Sequence, residues 1–257
     1  LNKPAHEVQL EIGLLHSEIK YARKNLKRGT RRRPVETPLI GQPGTSWIQP
    51  EPLGLILIMS AWNYPIQLLF GPLIPALAAG NGVVLKPSEI AAHCSKLIAE
   101  LVPKYLDGNA VRVVEGAVEE TTALLKLRFD HIFYTGGAAV GRIIMRAAAE
   151  HLTPVTLELG GKSPCVIDRG ADLKSAARRV LWGKTLNAGQ TCIAPDYVLV
   201  HPDDRQALIE AMRDTLDDMY EADRLHSEDY CKIINRRHFD RLVAYLDDGD
   251  IAIGGKA

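Results

Sequence analysis

The sequence predicts an α/β fold in which a mostly parallel sheet carries helices on both faces. From residue 53 onward, short apolar runs alternate with longer helical segments, which is the rhythm of strand–helix–strand units. The run Leu53–Met59 is continuously apolar, as is typical of a strand covered on both faces. We therefore expect parallel strands joined by right-handed crossovers.

The first 50 residues are predicted to lie outside this sheet. A helix is predicted over residues 4–28, because apolar side chains recur there at alternating steps of four and three. These side chains are Val8, Ile12, Leu15, Ile19, Ala22 and Leu26. The basic segment 27–34 is interpreted as a solvated connector, with an anion-binding patch as the alternative. Residues 37–50 are rich in Pro and Gly and predict an extended excursion or a hairpin.

Residues 51–86 need a test against a membrane span. No charged residue lies between Glu51 and Lys86, a length that could cross a bilayer. Pro and Gly residues interrupt the stretch repeatedly, so a buried strand, a helix and a second buried strand explain it better. We expect no transmembrane segment in this chain.

The remaining elements follow in regular order. The predicted strands are 54–59, 82–86, 111–115, 130–134, 155–159, 165–168 and 197–201. The predicted helices are 66–79, a helix capped by Ser88 that runs to about 102, 117–127, 139–151, 172–186, 203–219 and 228–247. Alternation restarts near Thr153–Gly161, which predicts a domain boundary there. Residues 251–257 are interpreted as strand and turn.

Composition excludes several classes of protein. The 257 residues are 46% apolar, enough to bury a sizeable core in one large or two small domains. The 31 acidic and 31 basic residues balance, so nucleic-acid binding has no electrostatic support. The four cysteines form no Cys-x-x-Cys pair, which argues against a disulfide scaffold or a zinc site and fits a reducing, cytoplasmic compartment. No His spacing suggests a metal. The start at Leu1 lacks Met and a signal peptide, so we expect it to be internal.

Two strand ends carry candidate nucleotide-binding residues. The turn from Gly136 to Gly141 joins an apolar strand to an Ala-rich helix, where backbone N–H groups can meet a dinucleotide. The G-x-G-x-x-G fingerprint fails because position 138 is Ala, so a plain strand-to-helix turn remains the alternative. At the second strand end, Lys86 and Glu89 are candidates for ribose or phosphate contacts. Their alternative is a solvated lysine and a first-turn glutamate favoured by the helix dipole.

Three side chains together suggest acyl chemistry. Cys192 follows a polar Gly-Gln-Thr turn where a thiol can be exposed, and a thiol can form an acyl thioester. Glu158 lies in an apolar strand and can activate water; its alternative is an outward-pointing strand residue. Asn63 can donate to an oxyanion or serve simply as a turn residue. Cys165 fits a small buried hydrophobe, and Cys94 and Cys231 fall in predicted helices.

Five motifs, in this order and with matching spacing, resemble the aldehyde dehydrogenase superfamily. They are Trp62-Asn63-Tyr64-Pro65, Lys86-Pro87-Ser88-Glu89, Thr135-Gly136-Gly137, Leu157-Glu158-Leu159-Gly160-Gly161-Lys162-Ser163-Pro164 and Gly189-Gln190-Thr191-Cys192. The runs 152–156 and 192–197 are similar to its class 3 branch, which handles medium- to long-chain and aromatic aldehydes. The resemblance covers essentially the whole chain.

The resemblance implies an architecture. Residues 1–155 would form a Rossmann-like dinucleotide-binding domain, with 37–50 as an oligomerisation-type excursion. Residues 156–257 would form part of an α/β catalytic domain. Family members continue past this C-terminus, so we expect a partial copy with weak or absent turnover. The full-length form is expected to be a homodimer.

The resemblance also implies a set of roles. Cys192 would be the nucleophile, Glu158 the general base and Asn63 the oxyanion donor, assisted by the backbone N–H of Cys192. The implied cofactor is NAD or NADP without a metal, and the substrate is an aliphatic or aromatic aldehyde. The residues implied to bind the cofactor are Lys86, Glu89, Gly136, Gly137, Val140, Gly141 and Leu159. This family's domain lacks the usual G-x-G-x-x-G, which removes the objection from Ala138.

Two other functions stay open. A CoA-acylating dehydrogenase would use CoA in place of water as the acyl acceptor, and Glu158 argues against it. A non-catalytic nucleotide-binding protein could reuse the same fold. The presence of Cys192, Glu158 and Asn63 argues against that alternative.

Overall fold

The first helix, α1, spans Ala5–Thr30 and buries a different face from the predicted one. The buried side chains are Glu7, Glu11 and Leu15, one turn apart, with 6%, 4% and 7% exposure. The predicted apolar stripe is therefore wrong: only Leu15 of its members is buried, Ala22 is half-buried, and the other four are exposed. The physical reason is that the carboxylates find backbone donors: Glu11 Oε1 accepts bonds of 2.9 Å from the amides of both Ile66 and Gln67.

The computed structural model describes residues 1–220 and 227–255, and the chain divides into two compact units. One unit is Leu10–Leu159, and the other combines Leu1–Gln9 with Gly160–Ala257. The predicted border between residues 155 and 156 falls in a strand that belongs wholly to the first unit. The assignment of cofactor binding to 1–155 and catalysis to 156–257 stays a prediction, and residues 221–226 and 256–257 of the second range lie outside the described residues.

An antiparallel pair follows α1. Strands β1 (Arg33–Val35) and β2 (Ser46–Ile48) pair with Pro34 opposite Trp47. The segment between them carries Leu39 and Ile40, which are 92% and 100% exposed. The predicted excursion thus contains the second strand of a hairpin whose first strand begins earlier, at Arg33.

The core of the Leu10–Leu159 unit is a five-stranded parallel sheet in the order β5-β4-β3-β6-β7. Its strands are β3 (Leu55–Met59), β4 (Gly82–Lys86), β5 (Val111–Val113), β6 (His131–Gly136) and β7 (Val155–Leu159). Its helices are α2 (Gln67–Ala78), α3 (Ala92–Tyr105), α4 (Val118–Leu125) and α5 (Ala138–Ala149). The predicted α/β fold with a parallel sheet is confirmed.

Alternate residues of β3 bury their side chains on opposite faces of this sheet. Ile56 and Ile58 join a cluster with side chains of α2 and α3, whereas Leu57 and Met59 join one with side chains of α4 and α5. All four are at most 6% exposed. A strand covered on both faces has no position for a polar side chain, which explains the continuous apolar run.

The other unit contains a smaller sheet. Strands β8 (Ser163–Ile167) and β9 (Pro195–Val200) pair in parallel, and helices α6 (Leu173–Thr185) and α7 (Arg205–Met219) accompany them. Its buried cluster contains Ile167, Ala177 and Leu208.

The final helix, α8, is shorter than predicted. It spans Arg236–Ala244 and begins where the Asn235 side chain accepts a bond from the His238 amide. The predicted helix over 228–235 is therefore wrong, and Cys231 lies in a non-helical segment. Residues 251–255 contain no strand, and the rest of that predicted element lies outside the described residues. Among residues 1–220 and 227–255, no helix is both long and apolar enough to cross a bilayer.

Candidate active site

A pocket of about 360 Å³ opens at the carboxyl edge of the five-stranded sheet. Parallel strands end at a common edge, so the loops after β3, β4 and β6 meet there. Five of the seven predicted cofactor residues line the pocket: Lys86, Glu89, Gly136, Gly137 and Val140. Its volume lies within the range of small-molecule sites.

Lys86 supplies a cation to the pocket wall. It is the last residue of β4 and is only 4% exposed. Its Nζ donates to the carbonyl of Pro87 at 2.9 Å and pairs with Glu89 Oε2 at 3.4 Å. Because a buried ammonium needs such partners, its position is fixed. The Glu89 side chain remains 47% exposed, so its carboxylate can also reach a ligand.

The three glycines between positions 136 and 141 differ in what an added side chain would meet. A Cβ at Gly136 would lie 2.1 Å from the Tyr134 hydroxyl, so this position needs glycine. A Cβ at Gly137 would meet nothing within 4 Å, which leaves open space before the first turn of α5. Gly141 and Leu159 do not line the pocket. Instead, a Cβ at Gly141 would come within 3.2 Å of Leu159, where α5 packs on β7.

The start of α4 contributes a pocket wall that the sequence analysis missed. Ala117, Val118 and Thr121 line the pocket. Glu120 fixes this turn, since its carboxylate accepts a 2.7 Å bond from the Ala117 amide, and backbone hydrogen bonds lower the pKa of Glu120. The position of this turn could have indicated its role. Because β5 ends at the same edge of the sheet as β4, the turn after β5 belongs to the same site.

Tyr134 also lines the pocket without having been predicted. It is 8% exposed, and its hydroxyl donates a long 3.4 Å bond to the Gly137 carbonyl. Burial raises the pKa of Tyr134, so the phenol stays neutral at ordinary pH. Its place in an apolar strand gave no sign of a contact with the glycine turn.

Two of the predicted catalytic residues belong to this unit. Asn63 lies half-buried between β3 and α2, next to Trp62, which lines the pocket. Glu158 lies near the end of the edge strand β7, opposite Thr135, and its side chain is exposed. In this unit Glu158 is therefore an outward-pointing strand residue, which leaves its proposed role as general base a prediction. An exposed carboxylate carries no burial penalty.

Cys192 lies in the other unit, in the loop between α6 and β9. Three consecutive residues before it have left-handed backbones: Asn187, Ala188 and Gly189, with φ of 51°, 52° and 76°. This conformation costs about 1–2 kcal/mol for a residue with a side chain. The Cys192 side chain is exposed, whereas Cys94 and Cys165 are half-buried and Cys231 is buried.

The far end of this loop is anchored by ion pairs. Asp196, the second residue of β9, pairs with Lys162 and lies 3.7 Å from the Lys184 ammonium. The Lys162 contact is the main reason that the pKa of Asp196 is lowered. The Asp196 side chain is 25% exposed, so these contacts fix position more than they add stability.

A likeness to known proteins extends along the whole chain. The sequence model of the aldehyde dehydrogenase family matches residues 1–254. This chain belongs to the aldehyde dehydrogenase family. Aldehyde dehydrogenase family 3 member A2 of Rattus norvegicus is 50% identical over 256 residues, and these cover 100% of this chain and 52% of that protein. The predicted likeness to the class 3 branch is confirmed.

Two further relatives describe the same family. The protein named "Aldehyde dehydrogenase, dimeric NADP-preferring" of Rattus norvegicus is 49% identical, over 95% of this chain and 54% of its own length. The substrate-bound structure of AldH from Staphylococcus aureus superposes with a TM-score of 0.92 and 45% identity, over 95% of this chain and 54% of that one. This aldehyde dehydrogenase chain thus spans about half the length of the curated relatives it matches.

Proposed function

We propose that this chain serves the NAD(P)-dependent oxidation of an aldehyde to a carboxylic acid. The observation that carries the proposal is the pocket at the carboxyl edge of the parallel sheet, formed by the motif residues of a chain that matches the family along its length. The exposed thiol of Cys192 supplies a nucleophile of the required kind.

The pocket residues suit a dinucleotide. Lys86 and Glu89 offer a cation and a carboxylate to ribose hydroxyls, and the open space at Gly137 admits a ligand to the start of α5. Val140 would cover the ligand from α5, while Gly141 and Leu159 would support that helix from behind. When bound, the nicotinamide supplies a hydride acceptor.

The chain's own residues would carry the remaining chemistry. The Cys192 thiolate adds to the aldehyde carbon, and the carbonyl electrons move to oxygen. Asn63 and the Cys192 amide donate hydrogen bonds to that oxyanion. After hydride loss the acyl group is a thioester on Cys192. Glu158 then takes a proton from water, the hydroxide adds to the acyl carbon, and Cys192 leaves as thiolate while the acid departs.

Several finer features belong to the same proposal. The substrate is an aliphatic or aromatic aldehyde, following the likeness to class 3. The cofactor is NAD or NADP. Lys86 attracts a 2′-phosphate and Glu89 repels one, so the charges of this pair select neither. A homodimer in the cytoplasm is proposed for the full-length form, and one relative's name carries the word "dimeric".

A single-turnover experiment tests the proposal. The 257-residue chain is mixed in excess with NAD or NADP and a panel of aldehydes, and the absorbance of the reduced nicotinamide is followed. We expect reduction that Cys192→Ala abolishes and Cys165→Ala retains, with weak multiple turnover. The proposal would be rejected if Cys192→Ala reduced the nicotinamide as well as the unsubstituted chain does. It would also be rejected if the unsubstituted chain gave no reduction with any aldehyde.

A second measurement addresses the acyl acceptor. Products are analysed with and without CoA, and we expect the free acid in both cases. A thioester of CoA as the main product would favour the acylating alternative. Dinucleotide binding without aldehyde-dependent modification of Cys192 would favour a non-catalytic binding protein.

A further inference from the structure

The buried carboxylate of Glu7 is bonded to the loop that carries Cys192. Glu7 Oε2 accepts a 2.9 Å hydrogen bond from the backbone amide of Asn187, a residue 180 positions away in the chain. The same oxygen accepts a 3.4 Å bond from the thiol of Cys231. All three residues belong to one compact unit, and each is at most 6% exposed. Bonds to a buried carboxylate are among the stronger ones in proteins.

The bond from Glu7 reaches the first residue of the left-handed run. Asn187 and Ala188 both carry side chains, so neither favours this conformation on its own. Such a backbone persists only where its surroundings determine it. Glu7 is one of those surroundings, because it fixes the direction of the Asn187 amide where the run begins.

Gln190 closes the turn from its other end. Its side-chain amide donates to the Asn187 carbonyl at 2.8 Å, and Asn187 Nδ2 donates to the Gln190 carbonyl at 3.1 Å. Gln190 Oε1 also accepts from the amide of Ile234 at 3.0 Å. Cys192 follows two residues later, so the direction of its backbone depends on this closed turn.

We propose that Glu7 is a positioning residue for Cys192, acting through the Asn187–Gly189 turn. The inference rests on the proposed role of Cys192 as nucleophile. Holding the turn fixes both the thiol and the Cys192 amide, which is the second oxyanion donor of the proposed mechanism. A small displacement of a reacting group can cost a large factor in rate, so a remote contact of this kind can govern acylation.

The chain provides a matched control for Glu7. Glu11 lies one turn further along α1, is equally buried, and also bonds to backbone amides, but those of Ile66 and Gln67. Removing either carboxylate leaves buried donors without an acceptor. Only the loss of Glu7 should loosen the turn before Cys192.

Hydrogen exchange by mass spectrometry tests the hold on the turn. Glu7→Ala, Glu7→Gln and Glu11→Ala are compared with the natural 257-residue chain. In Glu7→Ala we expect exchange in the peptide covering 186–192 to accelerate by about tenfold or more, with little change over 66–79. Glu11→Ala should show the reverse pattern. Glu7→Gln keeps an oxygen acceptor for Asn187 and should stay within about threefold of the natural chain.

Single-turnover acylation tests the consequence for Cys192. In Glu7→Ala the maximal rate should fall about tenfold or more, while the aldehyde concentration giving half that rate changes less than about threefold. Glu7→Gln should restore most of the rate. Unchanged exchange over 186–192 in Glu7→Ala would overturn the proposal. Faster exchange with an undiminished acylation rate would also overturn it.

The two readouts also separate this proposal from the proposed function. If none of the aldehydes acylates Cys192 in the natural chain, the proposed function fails. The exchange pattern then still decides whether Glu7 holds the turn. If Glu7→Ala accelerates exchange equally over both peptides, Glu7 is a general stabilising residue and the proposal is wrong.

Discussion

Ala188 occupies a backbone conformation that favours glycine. Its φ is 52°, between Asn187 and Gly189, which are also left-handed. We expect Ala188→Gly to raise the free energy of unfolding by about 1 kcal/mol, because glycine adopts this region without steric cost. Urea denaturation measures the change.

A second alanine provides the control for this substitution. Ala207 is exposed within α7, where glycine should lower the free energy of unfolding by about 1 kcal/mol. A loss of stability in Ala188→Gly like that in Ala207→Gly would contradict the left-handed assignment of Ala188.

The thiols of Cys192 and Cys231 should differ in reactivity. Burial, with a further contribution from the Glu7 carboxylate, raises the pKa of the Cys231 thiol to about 12. The thiolate is the nucleophile, so Cys231 stays protonated and inert at pH values well below 12. Cys192 is exposed, and an alkylating reagent can reach it.

Peptide mapping after brief treatment with iodoacetamide at about pH 8 measures this difference. We expect modification of Cys192 and none of Cys231 in the native chain, whereas all four cysteines should react after denaturation. Equal modification of Cys192 and Cys231 in the native chain would show that the Cys231 site is open to solvent.

At the scale of the elements, the turn between β6 and α5 contains two adjacent glycines with different roles, one in packing and one in ligand binding. A Cβ at Gly136 would collide with Tyr134, whereas a Cβ at Gly137 would enter open space in the pocket. Gly136→Ala should therefore lower the free energy of unfolding by about 1–3 kcal/mol. Gly137→Ala should leave stability nearly unchanged and weaken dinucleotide binding, because the methyl group occupies ligand space.

Thermal unfolding and calorimetric titration with NAD and NADP measure the two effects. Because Gly136→Ala also shifts Tyr134, binding is compared at a temperature where both variants remain folded. If Gly137→Ala bound NAD and NADP as tightly as the unsubstituted chain, the ligand would lie away from α5. That result would argue against the assigned cofactor residues.

The sequence predicted the elements well wherever one local pattern dominates. The strands of the large sheet were evident because both of their faces are covered, so β4 was predicted at its observed bounds. The predicted residues that line the pocket lie at the ends of neighbouring parallel strands, but that position alone left a purely structural role open, and the family resemblance implied the binding role. The wall from α4 was missed, since the order of β5 and β4 in the sheet is a long-range property.

The face of α1 could not be predicted for a related reason. Its apolar periodicity points to Val8 and Ile12, yet the buried positions are Glu7 and Glu11. Each carboxylate is satisfied by amides far away in the sequence, and no local pattern reports those partners. The segment before α8 was mispredicted for a similar reason. Residues 228–235 include the buried Cys231, whose thiol bonds to Glu7, 224 positions away, and no local pattern reports that partner.

At the scale of the whole chain, the two compact units have unequal cores. The Leu10–Leu159 unit contains five paired strands with a buried cluster on each face. Within its described residues 1–9, 160–220 and 227–255, the other unit has two paired strands, β8 and β9, and a cluster of three buried residues. Burial of apolar area is the main source of stability, and a two-stranded sheet is marginal by itself. The unit that carries Cys192 should therefore open more readily.

Native-state hydrogen exchange measures this inequality directly. We expect amides of β8 and β9 to exchange about a hundredfold faster, or more, than those of β3 and β4, because they become exposed in a lower-energy opening. Low concentrations of urea should accelerate exchange in β3 and β4 more steeply, since their opening exposes more surface. Ala188→Gly, which stabilises only the smaller unit, should slow exchange in β8 and β9 and leave β3 and β4 unaffected. Equal protection of the two sheets, with equal urea dependence, would mean that the chain unfolds as one cooperative unit.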